Sequence, residues 1–130
     1  MTLARNIADL ATAIGREIKT RITAEHPGVA RAWVCFGYVG NQVVIRASFN
    51  VQSVARIAVG KYRVTFATRM PDTSYCWTAF ACNAGNQSAL KIAAARVNAE
   101  AKTTQYVEVI CATQSGTLSD TTELNLTVFR

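Results

Sequence analysis

The sequence predicts a mainly β protein, an N-terminal α-helix followed by an antiparallel β-sandwich head. Three observations predict it. Apolar residues recur at helical spacing near the N-terminus and at strand spacing afterwards, and turn-forming pairs punctuate the second part about every dozen residues. At 130 residues, half of them hydrophobic, the chain can build one compact core and is too short for two ordinary domains. The expected layout is an oligomerisation or attachment helix with its hinge at residues 1–28 and a head at 29–130.

In "LARNIADLATAIGREIKTRI", Leu3, Ile7, Leu10 and Ile14 follow one another at spacings of four, three and four, a helical stripe in heptad phase. Ile18 and Ile22 continue the apolar face but drift from the strict heptad, whose next seam positions are Glu17 and Arg21. Thr2 suits the N-cap, and Pro27 in "EHPG" cannot continue the hydrogen-bond ladder. A helix of about 20 residues spans about 30 Å and is marginal alone in water. Leu3, Ile7, Leu10, Ile14 and Ile18 are therefore the candidate oligomerisation and attachment residues. Ile at the a-like positions 7 and 14 with Leu at the d-like positions 3 and 10 favours two strands by coiled-coil rules.

Beyond Gly28 the period becomes two. "KYRVTF" places Tyr62, Val64 and Phe66 on one face, "QYVEVIC" alternates Val107, Val109 and Cys111 with Tyr106, Glu108 and Ile110, and "LNLTVF" aligns Leu124, Leu126 and Val128. Further strands are expected at 31–38, 42–49, 52–57, 74–82 and 117–122. The alanine-rich stretch 88–102 fits either helix or strand and is read as strand. Turn signals at Gly40-Asn41, Val59-Gly60, Pro71-Asp72, Gly85-Asn86 and Ser115-Gly116 separate these runs, as in a sandwich.

The stretch "RIAVGKYR" raises a problem of charge. With Val59 and Gly60 as a two-residue hairpin tip, Arg56 lies opposite Arg63 with Lys61 on the same face, and Ile57 opposite Tyr62 on the other. Opposed like charges are destabilising, so Arg56, Lys61 and Arg63 are expected to meet an anionic ligand or a neighbouring chain.

The net charge is +6, with five basic and three acidic side chains in residues 1–31 and nine and five in the rest, so no basic tail stands apart. The charged residues Arg5, Asp9, Arg16, Glu17, Lys19 and Arg21 leave no signal-peptide core or membrane span near the N-terminus, so neither export by the general secretory route nor membrane insertion is expected. Asp72, Glu100, Glu108, Asp120 and Glu123 are spread singly, and the one histidine, His26, precedes a proline, so no acid–base pair or activated nucleophile is expected and the chain is read as no enzyme. Cys35, Cys76, Cys82 and Cys111 lack the paired spacing of a zinc site, and no cofactor is expected. Cys76 and Cys82 on one extended strand would stand about 20 Å apart, beyond disulfide reach. Nucleic-acid binding by Arg46, Arg56, Lys61, Arg63 and Arg69 is not favoured, because period two sends Tyr62 to the face opposite Lys61 and Arg63. Trp33 and Trp77 are expected in the core.

The order "AWVCF" (32–36), "VVIRASFNVQSV" (43–54), "GKYRVTF" (60–66) and "MPDTSY" (70–75), closing on "LTVFR" (126–130), resembles a module of bacteriophage tail-fibre proteins, well over residues 32–75 and loosely elsewhere. Cys35 stands where that family commonly has a polar residue, and "GYVGNQ" where it has a Gly-rich turn. The resemblance implies a structural virion protein, a short fibre for host-surface attachment, assembled as a homotrimer with other virion proteins as neighbours and a host cell-surface polysaccharide as receptor. It further implies a virion location after synthesis in the host cytoplasm. The alternatives are a capsid or tail decoration protein without receptor binding, or a basic nucleic-acid-binding β module.

Release of a virion from a reducing cytoplasm into oxidising surroundings would allow one interchain disulfide, with Cys35 or Cys82 as the candidates. Asn83, Asn86 and Gln87 in "CNAGNQ" and Gln114 and Ser115 in "TQSGTLSD" have the hydrogen-bonding chemistry suited to sugar hydroxyls and are the candidate glycan-contact residues.

Overall fold

The structure is a computed structural model that describes residues 2–23, 25–85, 90–98 and 100–130. Helix α1 runs over Leu3–Arg21. The Arg5 amide donates to Thr2 Oγ1 at 3.3 Å, so Thr2 is the N-cap, and the Ile22 amide closes the last turn on the Ile18 carbonyl. The helix buries none of its residues.

The strands are β1 (Ala32–Val39), β2 (Gln42–Phe49), β3 (Val51–Ala58), β4 (Lys61–Phe66), β5 (Cys76–Cys82), β6 (Lys91–Ala95), β7 (Tyr106–Thr113) and β8 (Glu123–Phe129). They form two four-stranded antiparallel sheets, ordered β2-β1-β8-β5 and β3-β4-β7-β6, packed as a sandwich. The chain crosses between sheets at Asn50, whose φ of 53° turns it without an extended loop. The Asn50 side chain fixes that corner, donating to the Arg31 and Thr68 carbonyls and accepting from the Thr68 amide.

Period two decides what is inside. Val34 and Phe36, Tyr62 and Val64, Val107, Val109 and Cys111, and Leu124, Leu126 and Val128 are all buried. Phe36 meets Tyr62 edge to face across the sheets with centroids 5.2 Å apart, and Phe66 meets Tyr75 in the same way at 5.7 Å. Met70 and Tyr75, the ends of "MPDTSY", are buried, and the Tyr75 hydroxyl donates to the Thr103 carbonyl.

Four expectations are corrected. Arg56 pairs with Tyr62 and Ala55 with Arg63, because Ile57 is an extra residue between Arg56 and Ala58. That bulge turns Arg56 to the inner face of the hairpin and leaves Arg63 on the outer one, so the opposed arginines never form. Residues 117–122 are not a strand: one bridge joins Leu118 to Ala112, and the segment then crosses the end of the sandwich with its polar groups bonded to the strands below. Of the described residues in 88–102, only Lys91–Ala95 form a strand, β6, and Val97 beyond it is fully exposed. Trp33 is 39% exposed, because Ala32, Val34 and Phe36 take the inner positions of β1 and leave Trp33 and Cys35 the outer ones. Trp77 does pack against the core.

Candidate functional site

The strand registers give the head two distinct ends. At one, the hinge enters β1 at Ala32, the Arg31 Nε donates to the Arg130 carbonyl, and Arg31 pairs with Glu25 at 2.6 Å. At the other lie the turn after Val39, the turn at Val59-Gly60, the segment that follows Cys82 and the segment after Thr113, because Val39 pairs with Gln42, Ala58 with Lys61 and Lys91 with Thr113. Of the candidate glycan-contact residues, Asn83 is half-buried and Gln114 and Ser115 are exposed at that far end, whereas Asn86 and Gln87 lie outside the described residues. Asn83, Gln114 and Ser115 and the helix thus attach to opposite ends of the sandwich.

The far end is braced by Asp120. Its carboxylate accepts from Arg56 Nη2 at 2.8 Å and Nε at 3.1 Å, from the Tyr62 hydroxyl at 2.7 Å and from the Gly60 amide at 3.0 Å. Burial pushes this carboxyl up, but those donors and the guanidinium charge outweigh it and hold the pKa down at about 2. Burial, and then the bond to Asp120, raises the Tyr62 phenol well above its ordinary value. Arg56 also lies over the Tyr38 ring at 4.5 Å.

On the outer face of the second sheet, Glu108 is almost fully buried between Arg63, at 2.7 Å, and Arg96. Burial works against its charge, yet the two guanidinium groups hold it below the usual carboxylate range. Arg63 stacks on Tyr106 at 4.2 Å. Arg56, Lys61 and Arg63 therefore do not form one patch: the two arginines sit on opposite faces of their hairpin, each neutralised within the chain.

The apolar stripe of α1 is open. Leu3, Ile7, Leu10, Ile14 and Ile18 are each at least half exposed. All four cysteines are free thiols, with Cys76 and Cys82 exposed, Cys35 half-buried and Cys111 buried, where desolvation raises its pKa. Cys35 and Cys82 both point from the outer face of the first sheet.

That outer face is the feature sequence reasoning missed. The pairings Phe49–Trp33–Thr127–Thr78 and Ala47–Cys35–Asn125–Phe80 run across all four strands, and Phe49 and Phe80 are 51% and 74% exposed. The signal was present in "AWVCF" and "CWTAFAC": once Val34, Phe36, Trp77, Ala79 and Ala81 face inward, the alternate residues must face out. Beside it, at the helix end, Arg31, Phe49, Asn50, Arg69 and Met70 help to line an open pocket of about 340 Å³.

Among the described residues no group of three or more His, Cys, Asp or Glu could hold a metal ion, and no helix is long and apolar enough to cross a membrane. Comparison of the chain with protein-family models, with curated proteins and with solved structures returned no match.

Proposed function

We propose that this chain is a structural virion protein, a short phage tail fibre that self-associates through α1 as a homotrimer and presents its head for host-surface attachment. The observation that carries the reading is the helix: five large apolar side chains on one stripe, none of them buried by the chain that bears them. A face of that kind demands association. The opposite placement of helix and loops fits a fibre whose one end docks on the particle, beside other virion proteins, while the other meets a polysaccharide. The trimer number and the receptor class rest on the resemblance of residues 32–75 to tail-fibre modules. The exposed Cys82 and half-buried Cys35 suit an interchain disulfide formed after release, which non-reducing gels of assembled protein would reveal as a reductant-sensitive dimer band.

The test is light scattering coupled to size exclusion on the full chain and on an Ile7→Ser/Ile14→Ser variant. A trimer that falls to monomer in the variant is expected. A full chain that is monomeric at every concentration overturns the reading. Binding of the labelled trimer to bacterial cells, competed by their purified surface polysaccharide and lost with Gln114→Ala/Ser115→Ala, is expected of a receptor-binding fibre, and trimers that bind no cell would favour a decoration role.

A further inference from the structure

We infer that the outer face of the β2-β1-β8-β5 sheet is the surface through which the heads of neighbouring copies pack, with a second copy of this chain as its occupant. The inference rests on the self-association proposed above and assigns it a second, independent contact.

Charge selects the occupant. Each copy carries +6, so two copies repel through most of their surface. The outer face of the second sheet carries Arg63, Glu108 and Arg96 in an internal network. The outer face of the first sheet instead presents Trp33, Cys35, Phe49, Thr78, Phe80 and Thr127, with no charged side chain among them. Its charged residues lie at the two margins: at the far one Glu123 pairs with Cys82 and Arg46 donates to the Thr122 carbonyl at 2.7 Å, and at the helix end Arg31, paired with Glu25, and Arg69 line the pocket beside Phe49. A like-charged copy can approach the middle of this face without opposing cations.

Area and continuity point the same way. Four strands spaced about 4.8 Å apart and seven residues long at about 3.3 Å per residue outline about 400 Å². The helix stripe, about 28 Å long and about 10 Å wide, adds about 300 Å². Neither reaches the about 800 Å² per partner of a stable interface, and together they approach it. The two surfaces are joined at the hinge, since Trp33 stands two residues beyond Arg31, which grips Glu25, and Phe49 is directly opposite Trp33. Helices bundled about an axis would bring the near ends of these faces toward it.

The test uses the full chain, freshly reduced, at a concentration where light scattering reports the oligomer. Alkylation rates of Cys76 and Cys82, both exposed on this face in the single chain, are followed by mass spectrometry against the urea-unfolded chain. Packing of the heads predicts that both react at least about tenfold more slowly in the oligomer, and that Phe80→Arg restores their rates. Phe80 is 74% exposed, so the substitution leaves the core untouched. An oligomer of full mass whose Cys76 and Cys82 react as in the unfolded chain overturns the inference while leaving helix-driven assembly standing. Slow thiols indifferent to Phe80→Arg overturn it as well, and a monomeric mass overturns both readings.

Discussion

Arg56 stands across the hairpin from Tyr62, and both side chains end on one carboxylate, that of Asp120. Two strand connections and a strand end meet at that point, since the Gly60 amide belongs to the β3–β4 turn, Asp120 to the β7–β8 segment, and Tyr38, stacked under Arg56, to the end of β1. The cationic stretch of the hairpin is therefore a brace between the sheets.

The buried Tyr62 hydroxyl depends on Asp120 as its acceptor. Asp120→Ala should destabilise the head by about 1–3 kcal/mol, the cost of leaving a buried donor unsatisfied. The loss should shrink when Tyr62→Phe removes the donor as well, so that the double variant is more stable than the two single effects sum to. Urea unfolding in the Ile7→Ser/Ile14→Ser background keeps oligomerisation out of the measurement.

Acid should weaken the head for the same reason. The folded pKa of Asp120 is depressed to about 2, against about 3.9 for an unfolded aspartate, so its contribution is fully present above the unfolded value and disappears as pH falls through the folded one. Glu108, also depressed, acts in the same direction. The unfolding temperature should be level from neutral pH to about 5 and should then fall steeply toward pH about 2. A temperature unchanged across that window would contradict both ion-pair networks.

Two glycines separate backbone strain from steric collision. Gly60 and Gly116 both have positive φ, 65° and 85°, but a Cβ on Gly60 would stand 2.4 Å from the Cys111 carbonyl oxygen and 2.7 Å from the Ser119 amide, whereas one on Gly116 would meet open space. Gly116→Ala should cost about 1–2 kcal/mol, the left-handed penalty alone. Gly60→Ala should cost about 3 kcal/mol or more, because backbone must move on two neighbouring segments. Equal effects in a denaturant titration would show that the turn does not pack against the β7–β8 segment.

The sequence was most legible where one face of a strand is buried. The alternations in 61–66 and 123–129 are obeyed residue by residue, and that in 106–111 is broken only at Glu108, which keeps the outer face but is covered there by Arg63 and Arg96. It was least legible where one extra residue changes the phase. Nothing in "RIAVGKYR" announces the bulge at Ile57, and without it Arg56 would have missed Asp120, sixty-four residues away in sequence. The segment 117–122 misled for a related reason: its alternation belongs to side chains capping the sandwich end, with Asp120 facing Arg56 and Thr121 donating to the Cys82 carbonyl, and that is a long-range arrangement. Helix α1, whose signal is purely local, matched its expected span within a residue or so of each end.

Nucleic acid should not be bound with useful affinity. A single-strand platform needs free cations beside exposed aromatic faces. Here Tyr62 is buried, and Arg56 and Arg63 are each tied to a carboxylate. Labelled single-stranded DNA should show only the weak attraction of any basic protein, with Kd no tighter than about 1 μM at physiological salt. A tighter complex that loosens steeply with added salt would reinstate the basic-module reading.

The helix should be separable from the head in energy as well as in space. Since α1 buries none of its residues, Ile7→Ser/Ile14→Ser leaves the core of the head untouched. In dilute solution, below the concentration at which copies associate, the near-ultraviolet signal of the head should melt at the same temperature in the variant and the parent. At high concentration the parent alone should gain stability, because an assembly that forms only from folded chains raises the apparent unfolding temperature by mass action. The dependence on concentration, read by calorimetry, is the decisive quantity. If the variant melts lower than the parent even when both are monomeric, α1 folds back on its own head in solution, and its apolar stripe is a cover for that head rather than a seam between copies.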